Sequence, residues 1–349
     1  MKAVLLTGHG GPEKLEYRED VPATEPAGGE VLVEVGATGV NNTDLWTRRG
    51  LYGSESDPQS TGGWRRDRPM RFPRIQGMDI AGRIAEVGEG VPQARIGERV
   101  LVDPVVYAGE GRERLAEADM IGSERDGGFA GYVAVPAPNA YVVDTSLTDE
   151  ELATFPTAYL TAEGMLNRAR VGQDETLLVT GASGGVGSAL LQLARVRGAR
   201  TVALVGSGKE ERARELGAEA VITRGDEDLS ESVSEAMEGL GVDVVADVVG
   251  GEAFSEILRS LRPFGRYVTA GAIAGPLVGL DLRTLYLKQL ELIGSTAGTH
   301  EEFADLVGYV ERGGIKPLLA GVYPLSRINE AQKEFEEKSF FGKLVVSPG

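Results

Sequence analysis

Over the first 145 residues, apolar and polar positions alternate in short runs: Lys2–Thr7, Lys14–Arg18, Glu30–Val40, Ile80–Val87, Glu98–Asp103, Gly131–Val135 and Ala140–Val143. A period of two over runs this short predicts strands with one buried face. Gly10-Gly11-Pro12, Pro26–Gly29 and Gly88-Glu89-Gly90 punctuate them. Many short strands between Gly/Pro turns predict a β-rich barrel or sandwich, not a parallel sheet.

The pattern changes near residue 150. Thr148-Asp149-Glu150-Glu151 reads as a helix start with acids in its first turn, running on to about Ala169. From there strands and helices alternate. Strands are expected at Thr176–Thr180, Thr201–Val205, Ala220–Thr223, Val242–Val248, Arg266–Ala270 and Leu290–Ser295. Helices are expected at Val186–Arg197, Glu210–Leu216, Asp228–Glu238 and Ala253–Leu261. This alternation predicts a doubly wound parallel sheet. The tail from Gly314 returns to mixed elements. The expected architecture is a Rossmann-type α/β domain, residues 151–297, inserted into a β-rich domain built from residues 1–150 and 298–349.

Composition narrows the chemistry. The 349 residues contain no cysteine and only two histidines, His9 and His300. Thiol nucleophiles, iron–sulfur clusters and cysteine- or histidine-rich zinc sites are therefore excluded. The net charge of −17 argues against nucleic acid or an anionic membrane as partner, since both attract positive surface. The sequence lacks an apolar run of spanning length, and its first residues read as a strand; a cytoplasmic protein is expected.

The most specific motif is Gly181-Ala182-Ser183-Gly184-Gly185-Val186-Gly187, between a buried strand and an amphipathic helix. Glycines there allow a tight turn, close approach of backbone N–H groups to a pyrophosphate, and helix-on-strand packing. The same residues also satisfy Thr180-Gly-x-x-x-Gly185-x-Gly187, the nucleotide turn of short-chain dehydrogenases. That family places the turn near its N-terminus and uses a Tyr-x-x-x-Lys pair, which none of the ten tyrosines provides. NAD-specific sheets carry an acid at the end of the second strand. Here that place reads Val205-Gly206-Ser207-Gly208-Lys209, so Ser207 and Lys209, with Arg224 as further charge, are candidate ligands of a 2′-phosphate. NADPH is the expected cofactor.

Further motifs run in order along the chain: Gly39-Val-Asn41-Asn-Thr-Asp44 with Arg48-x-Gly50-x-Tyr52, Gly77-Met78-Asp79, Gly82-x-x-x-Glu86-Val-Gly88, Gly97-Glu-Arg-Val100, Asp126-Gly-Gly-Phe-Ala-x-Tyr132, Leu216-Gly-Ala218 and Gly342-Lys343-Leu-Val-Val346. With the glycine turn, they make the chain resemble the medium-chain dehydrogenase/reductase superfamily, and within it the zinc-free quinone oxidoreductase-like branch. The resemblance implies a GroES-like catalytic domain, a Rossmann domain, a cofactor cleft between them with Lys343 among the cofactor residues, and a homodimer or homotetramer joined at the edge strand near Leu290–Ser295.

Zinc-dependent alcohol dehydrogenases of this superfamily set Cys, His and a third Cys or Asp around the metal. The matching positions here hold Asn41, Met78 and, within a residue, Thr157, and Trp46 stands where the proton-relay histidine would be. The stretch Val105–Gly127 has the length of the four-cysteine zinc lobe without a cysteine. Neither metal is therefore expected, and Asp44 and Asp79 are read as structural hydrogen-bonding groups. Without a Lewis acid, alcohol oxidation loses its route to an alkoxide, whereas hydride transfer to a quinone or an α,β-unsaturated carbonyl needs none. The resemblance places Asn41 and Tyr52 at the substrate end. Either could hydrogen-bond a substrate carbonyl oxygen; Tyr52 could instead deliver a proton or simply pack.

The expected function is zinc-independent, NADPH-dependent reduction of a quinone or an α,β-unsaturated carbonyl. The alternatives are an enoyl-thioester reductase and a non-catalytic, crystallin-like NADPH-binding protein; an alcohol dehydrogenase is disfavoured. Gly53–Arg74 is longer than the family's usual turn and holds Trp64-Arg65-Arg66-Asp67-Arg68, read as a solvated surface loop in preference to a lid over an anionic substrate.

Overall fold

The computed structural model describes residues 1–52, 69–109, 111–225 and 229–349. Most of the Gly53–Arg74 insertion, including Trp64–Arg68, lies outside the described residues, as does Asp228. The chain separates into two compact units: Met1–Thr157 with Thr299–Gly313 and Pro317–Gly349, and Ala158–Gly298 with Gly314–Lys316.

The first unit is built on a seven-stranded sheet. Its path runs through Ala140–Val142, Arg99–Val102, Asp79–Val87, Glu30–Gly39, Lys343–Ser347 and Leu319–Pro324, with Tyr132–Pro136 also paired to Glu30–Gly39. A three-stranded sheet (Leu15–Arg18, Ala3–Leu6, Arg74–Ile75) and a two-stranded one (Val105–Val106, Asp119–Met120) complete it. The alternation read from the sequence is real: Val31, Val33, Val35, Ile80, Ile84, Val100 and Val102 come from three strands and form one buried cluster. Burying each such side chain contributes roughly 1.5–3 kcal/mol.

The central strand Glu30–Gly39 fixes what lies beside it. On one side Gly39 pairs with Asp79; on the other it pairs with Val345. Continuing that register past the strand end, Val40 N–H donates to the carbonyl of Leu344 at 2.9 Å, which sets Lys343 level with Asn41. Three segments far apart in sequence thus meet at one sheet end. Gly39 is required there, because a Cβ would stand 2.6 Å from both the Ala153 carbonyl oxygen and the Asp79 carboxylate.

The second unit holds a six-stranded sheet, all parallel, in the order Ala220–Thr223, Arg200–Val205, Thr176–Val179, Val242–Asp247, Leu261–Thr269, Glu291–Gly294. The first strand in sequence is third in space, so the connections leave it in opposite directions and its C-terminal end is the topological switch point. Thr176–Val179 and Val242–Asp247 are buried along their whole lengths, as strands covered on both faces must be.

Two boundaries differ from expectation. The helix expected from Thr148 to about Ala169 is two helices, Asp149–Leu152 and Pro156–Arg168, because Pro156 lacks the N–H to continue the first and starts the second. The first unit also extends to Thr157 and not 150. Asp149 is held to it by an ion pair with Arg99 at 2.6 Å, and Thr157 by its N–H to Asp79 Oδ1 at 2.6 Å. In turn Lys316 joins the second unit, its N–H donating to Gln192 Oε1 at 2.7 Å and its carbonyl accepting from the Tyr159 hydroxyl at 3.1 Å. Among the described residues no helix is long and apolar enough to cross a membrane.

Candidate functional site

The candidate site residues fall in both units, and each unit is described by itself. In the second unit, the turn Gly181–Gly187 leaves the strand Thr176–Val179 at the switch point and enters the helix Gly185–Val196, with Gly184 as its N-cap. Gly181 adopts φ +56°, a left-handed conformation that favours glycine. A Cβ on Gly187 would lie 2.3 Å from the Gly181 carbonyl oxygen, so only glycine lets the helix start pack on the turn. At Gly184 a Cβ would meet only that same oxygen, at 3.4 Å. The outer face of the turn is therefore open, with backbone N–H groups and the helix dipole available to an anion.

Beneath the turn lies a polar network that the sequence reading missed. Asp247, fully buried, accepts from the Thr180 hydroxyl at 2.5 Å, the Tyr267 hydroxyl at 2.5 Å and the N–H groups of Val249 (2.8 Å) and Gly250 (3.1 Å). Thr180 in turn accepts from Val248 N–H at 3.2 Å. Burial and the facing carboxylate push the Tyr267 hydroxyl well above the usual phenol range. The signal available in sequence was a second acid, Asp247, closing the buried strand Val242–Asp247 after the apolar run Val244–Ala246.

At the end of the next strand, Lys209 Nζ reaches Ser183 Oγ at 3.5 Å, the long limit of a hydrogen bond, and thus joins the second strand's end to the glycine turn. Burial first, and then the charge of Arg224, pull the Lys209 ammonium below the ordinary lysine range. Two cations placed to oppose each other are relieved by a bound anion. Ser207 is exposed on the same loop. Glu210 turns its carboxylate to the Thr223 hydroxyl (2.9 Å) and Gly208 N–H (3.2 Å). The structure thus gathers Gly181, Ser183, Gly184, Gly185, Val186, Gly187, Ser207, Lys209 and Arg224 in one unit. Lys343 belongs to the other.

In the first unit, the hub is Asp79, fully buried. Its Oδ2 accepts from Lys343 Nζ at 2.6 Å and from Asn41 Nδ2 at 2.8 Å; its Oδ1 accepts from Thr157 N–H. Lys343 Nζ also donates to Asn41 Oδ1 at 2.5 Å. Asn41 precedes the helix Asn42–Arg49, and its N–H donates to Asp44 Oδ2 at 2.8 Å. Burial, with a smaller contribution from the neighbouring Asp79 charge, pushes Asp44 up to about 7. Tyr52 packs against Trp46 in a tilted arrangement, ring centroids 5.6 Å apart, and donates its hydroxyl to Thr43 Oγ1 at 2.9 Å. Burial pushes that phenol up to about 12, which suits a hydrogen-bond donor more than an acid at neutral pH. His300 starts the helix His300–Glu311 and pairs with buried Asp103 at 2.9 Å.

These donors do not fit zinc. Zinc sites use thiolates, imidazoles and carboxylates. Here the amide oxygen and the carboxylate are both taken by an ammonium, and the positions matching the family's other two ligands hold a methionine and a threonine. Among the described residues no group of three His, Cys, Asp or Glu could hold a metal ion.

A glycine turn at the switch point of a 3-2-1-4-5-6 parallel sheet, joined to a β-rich unit with a buried polar site, defines a pyridine-nucleotide oxidoreductase. The model of the alcohol dehydrogenase GroES-like domain matches residues 27–145, and that of the zinc-binding dehydrogenase matches residues 185–312. The acryloyl-coenzyme A reductase of Metallosphaera sedula is 32% identical over 99% of this chain and 100% of its own. The NAD-dependent alcohol dehydrogenase of Sulfurisphaera tokodaii is 30% identical over 100% of both chains, and the quinone oxidoreductase of Rattus norvegicus 27% over 99% and 97%. Among solved structures, a Sinorhizobium meliloti 1021 protein provisionally assigned as an alcohol dehydrogenase is 58% identical, with a TM-score of 0.96 over 100% of this chain and 97% of that one. The 2-octenoyl-CoA carboxylase reductase CinF, in complex with NADP and 2-octenoyl-CoA, is 29% identical, with a TM-score of 0.83 over 99% and 87%. The chain belongs to the medium-chain dehydrogenase/reductase superfamily.

Proposed function

We propose that this protein is a zinc-independent, NADPH-dependent reductase of an activated C=C bond, in a quinone or an α,β-unsaturated carbonyl compound. The observation that carries the reading is the Asn41–Asp79–Lys343 network, in which Asn41, at one of the family's metal-ligand positions, is held by a carboxylate and an ammonium, groups that cannot polarise an alcohol as zinc does. NADPH, when bound on the Gly181–Gly187 turn, supplies the hydride. The chain's own residues then have two tasks. Asn41, through the amide hydrogen not given to Asp79, and Tyr52, on turning its hydroxyl from Thr43, donate to the substrate carbonyl oxygen, so that negative charge arriving there with the hydride is stabilised as an enolate. The proton that completes the reduction comes from water, because Tyr52 holds its own too tightly. Lys209, Ser207 and Arg224 favour the 2′-phosphate over a bare ribose.

The acryloyl-CoA reductase relative and the CinF complex with an enoyl thioester support a second reading within this class, in which the carbonyl is a CoA thioester. We further propose that the chain assembles as a homodimer or homotetramer through the edge strand Glu291–Gly294.

The deciding experiment measures NADPH consumption with quinones, enones and enoyl-CoA esters in the presence of EDTA, with Tyr52→Phe alongside. Turnover of at least one class should persist in EDTA. Loss of all activity, restored by added zinc, would refute the reading; activity on crotonyl-CoA without activity on quinones selects the thioester.

A further inference from the structure

A lysine inside an apolar sheet is costly unless its ammonium finds acceptors to replace water. Lys343 opens the strand Lys343–Ser347, whose next three residues are fully buried, and its own side chain is only 4% exposed. Two short hydrogen bonds compensate: to Asn41 Oδ1 at 2.5 Å and to Asp79 Oδ2 at 2.6 Å. The same Asp79 oxygen accepts from Asn41 Nδ2, so amide, carboxylate and ammonium close a ring of three hydrogen bonds. That ring leaves the Asn41 amide one orientation, with oxygen towards the cation and nitrogen towards the anion. An amide oxygen and a carboxylate oxygen are also the donors that any cation at this place would have to use.

We propose that Lys343 is the built-in cation of this site, a positioning residue whose ammonium stands in for a metal ion by neutralising Asp79 and locking the Asn41 amide. The inference concerns the first unit alone and holds whatever the substrate is. It differs from a role for Lys343 as a ligand of the cofactor's phosphates, and the two separate experimentally.

Three variants, Lys343→Met, Asp79→Asn and the double variant, are compared with the wild type by thermal unfolding and by NADPH titration. Lys343→Met leaves a buried carboxylate without its cation, and Tm should fall by about 5–15 °C. The double variant should recover most of that loss, because the stranded charge is gone. Zinc added to the wild type should leave Tm unchanged. The proposal is overturned if Lys343→Met melts like the wild type, if the double variant is no more stable than Lys343→Met, or if zinc stabilises the wild type but not Asp79→Asn. A Lys343→Met protein of wild-type Tm with NADPH affinity weakened tenfold or more would make the residue a phosphate ligand and also overturn it. Should Lys343→Met not fold, the double variant decides: its recovery in folded form supports the proposal, and its failure overturns it. Neither readout depends on turnover, so an error in the substrate class leaves this test intact.

Discussion

The hydroxyl of Thr180 donates to Asp247 Oδ1 at 2.5 Å, which ties the last residue before the glycine turn to the end of the neighbouring strand. The same carboxylate caps the N–H groups of Val249 and Gly250, so one buried acid shapes both loops at the switch point. Asp247→Ala would strand several buried donors at once. We expect a stability loss of about 3–5 kcal/mol by urea unfolding, together with weaker NADPH binding because the turn loses its floor. Thr180→Val removes one hydroxyl and should cost only about 1–2 kcal/mol. Equal losses for the two variants would show that Asp247 is not the hub.

The proposed preference for NADPH over NADH rests on Lys209. Its ammonium bridges to Ser183 and sits within the field of Arg224, and residues 206–209 hold no acid to bind a bare ribose. A charged hydrogen bond contributes about 1.5–3 kcal/mol, so Lys209→Ala should lower the NADPH-over-NADH affinity ratio by about 10- to 100-fold. Fluorescence titration of both cofactors measures the ratio. If both affinities fall equally, Lys209 supports the turn and does not read the phosphate.

Much of this arrangement was legible in the sequence because it is local. The glycine turn, the strand before it and the helix after it occupy adjacent residues, and the strand–helix alternation fixes a parallel sheet with its switch point there. The strand and helix periods also distinguish a β-rich part from an α/β part, while Pro156 breaks the helix that the acids at 149–151 start. The Asn41–Asp79–Lys343 ring was not legible. Lys343 and Asp79 stand 264 positions apart, and only the register of Gly39 between them brings the two side chains together. The run Gly342–Val346 does not show by itself that Lys343 is buried, and a lysine buried in a sheet demands a carboxylate partner. Asp247 was hidden for the same reason: its partners Thr180 and Tyr267 come from other strands.

Two buried acids give the fold a definite pH dependence. Asp44 is pushed up to about 7 and Asp103 to about 6, in each case chiefly by burial. An unfolded aspartate titrates near 3.9. Between that value and its folded one, each group binds its proton more tightly in the folded state, so its contribution favours folding at low pH and is lost as pH rises. Asp44→Asn keeps an oxygen for the Asn41 N–H and removes the charge. The variant should therefore match the wild type near pH 4 and exceed it at pH 8, by up to about 4 kcal/mol. Between pH 6 and 7 its stability should be flatter than the wild type's, while the Asp103 slope below pH 6 remains. Urea unfolding across this range measures both curves; parallel curves would mean that Asp44 is ionised in the folded protein at all these pH values.

The proposed assembly follows from what the second unit leaves uncovered. Among the described residues Glu291–Gly294 ends its sheet and pairs only with Leu261–Thr269, which leaves its other edge open. The helix before it, Leu282–Leu287, buries no residue. Leu277 is 93% exposed and Leu287 71%, with Leu282, Tyr286 and Leu292 exposed beside them in sequence. An open edge flanked by apolar side chains invites another strand, and a second copy of the same edge satisfies it by symmetry. Light scattering after size exclusion should give two or four times the 37.0 kDa chain mass. Placing charges on that edge, with Leu287→Glu and Leu292→Lys together, should yield monomers that still bind NADPH, because neither residue lies on the Gly181–Gly187 turn. A monomeric wild type, or a double variant that keeps the wild-type mass, would rule this edge out as the interface.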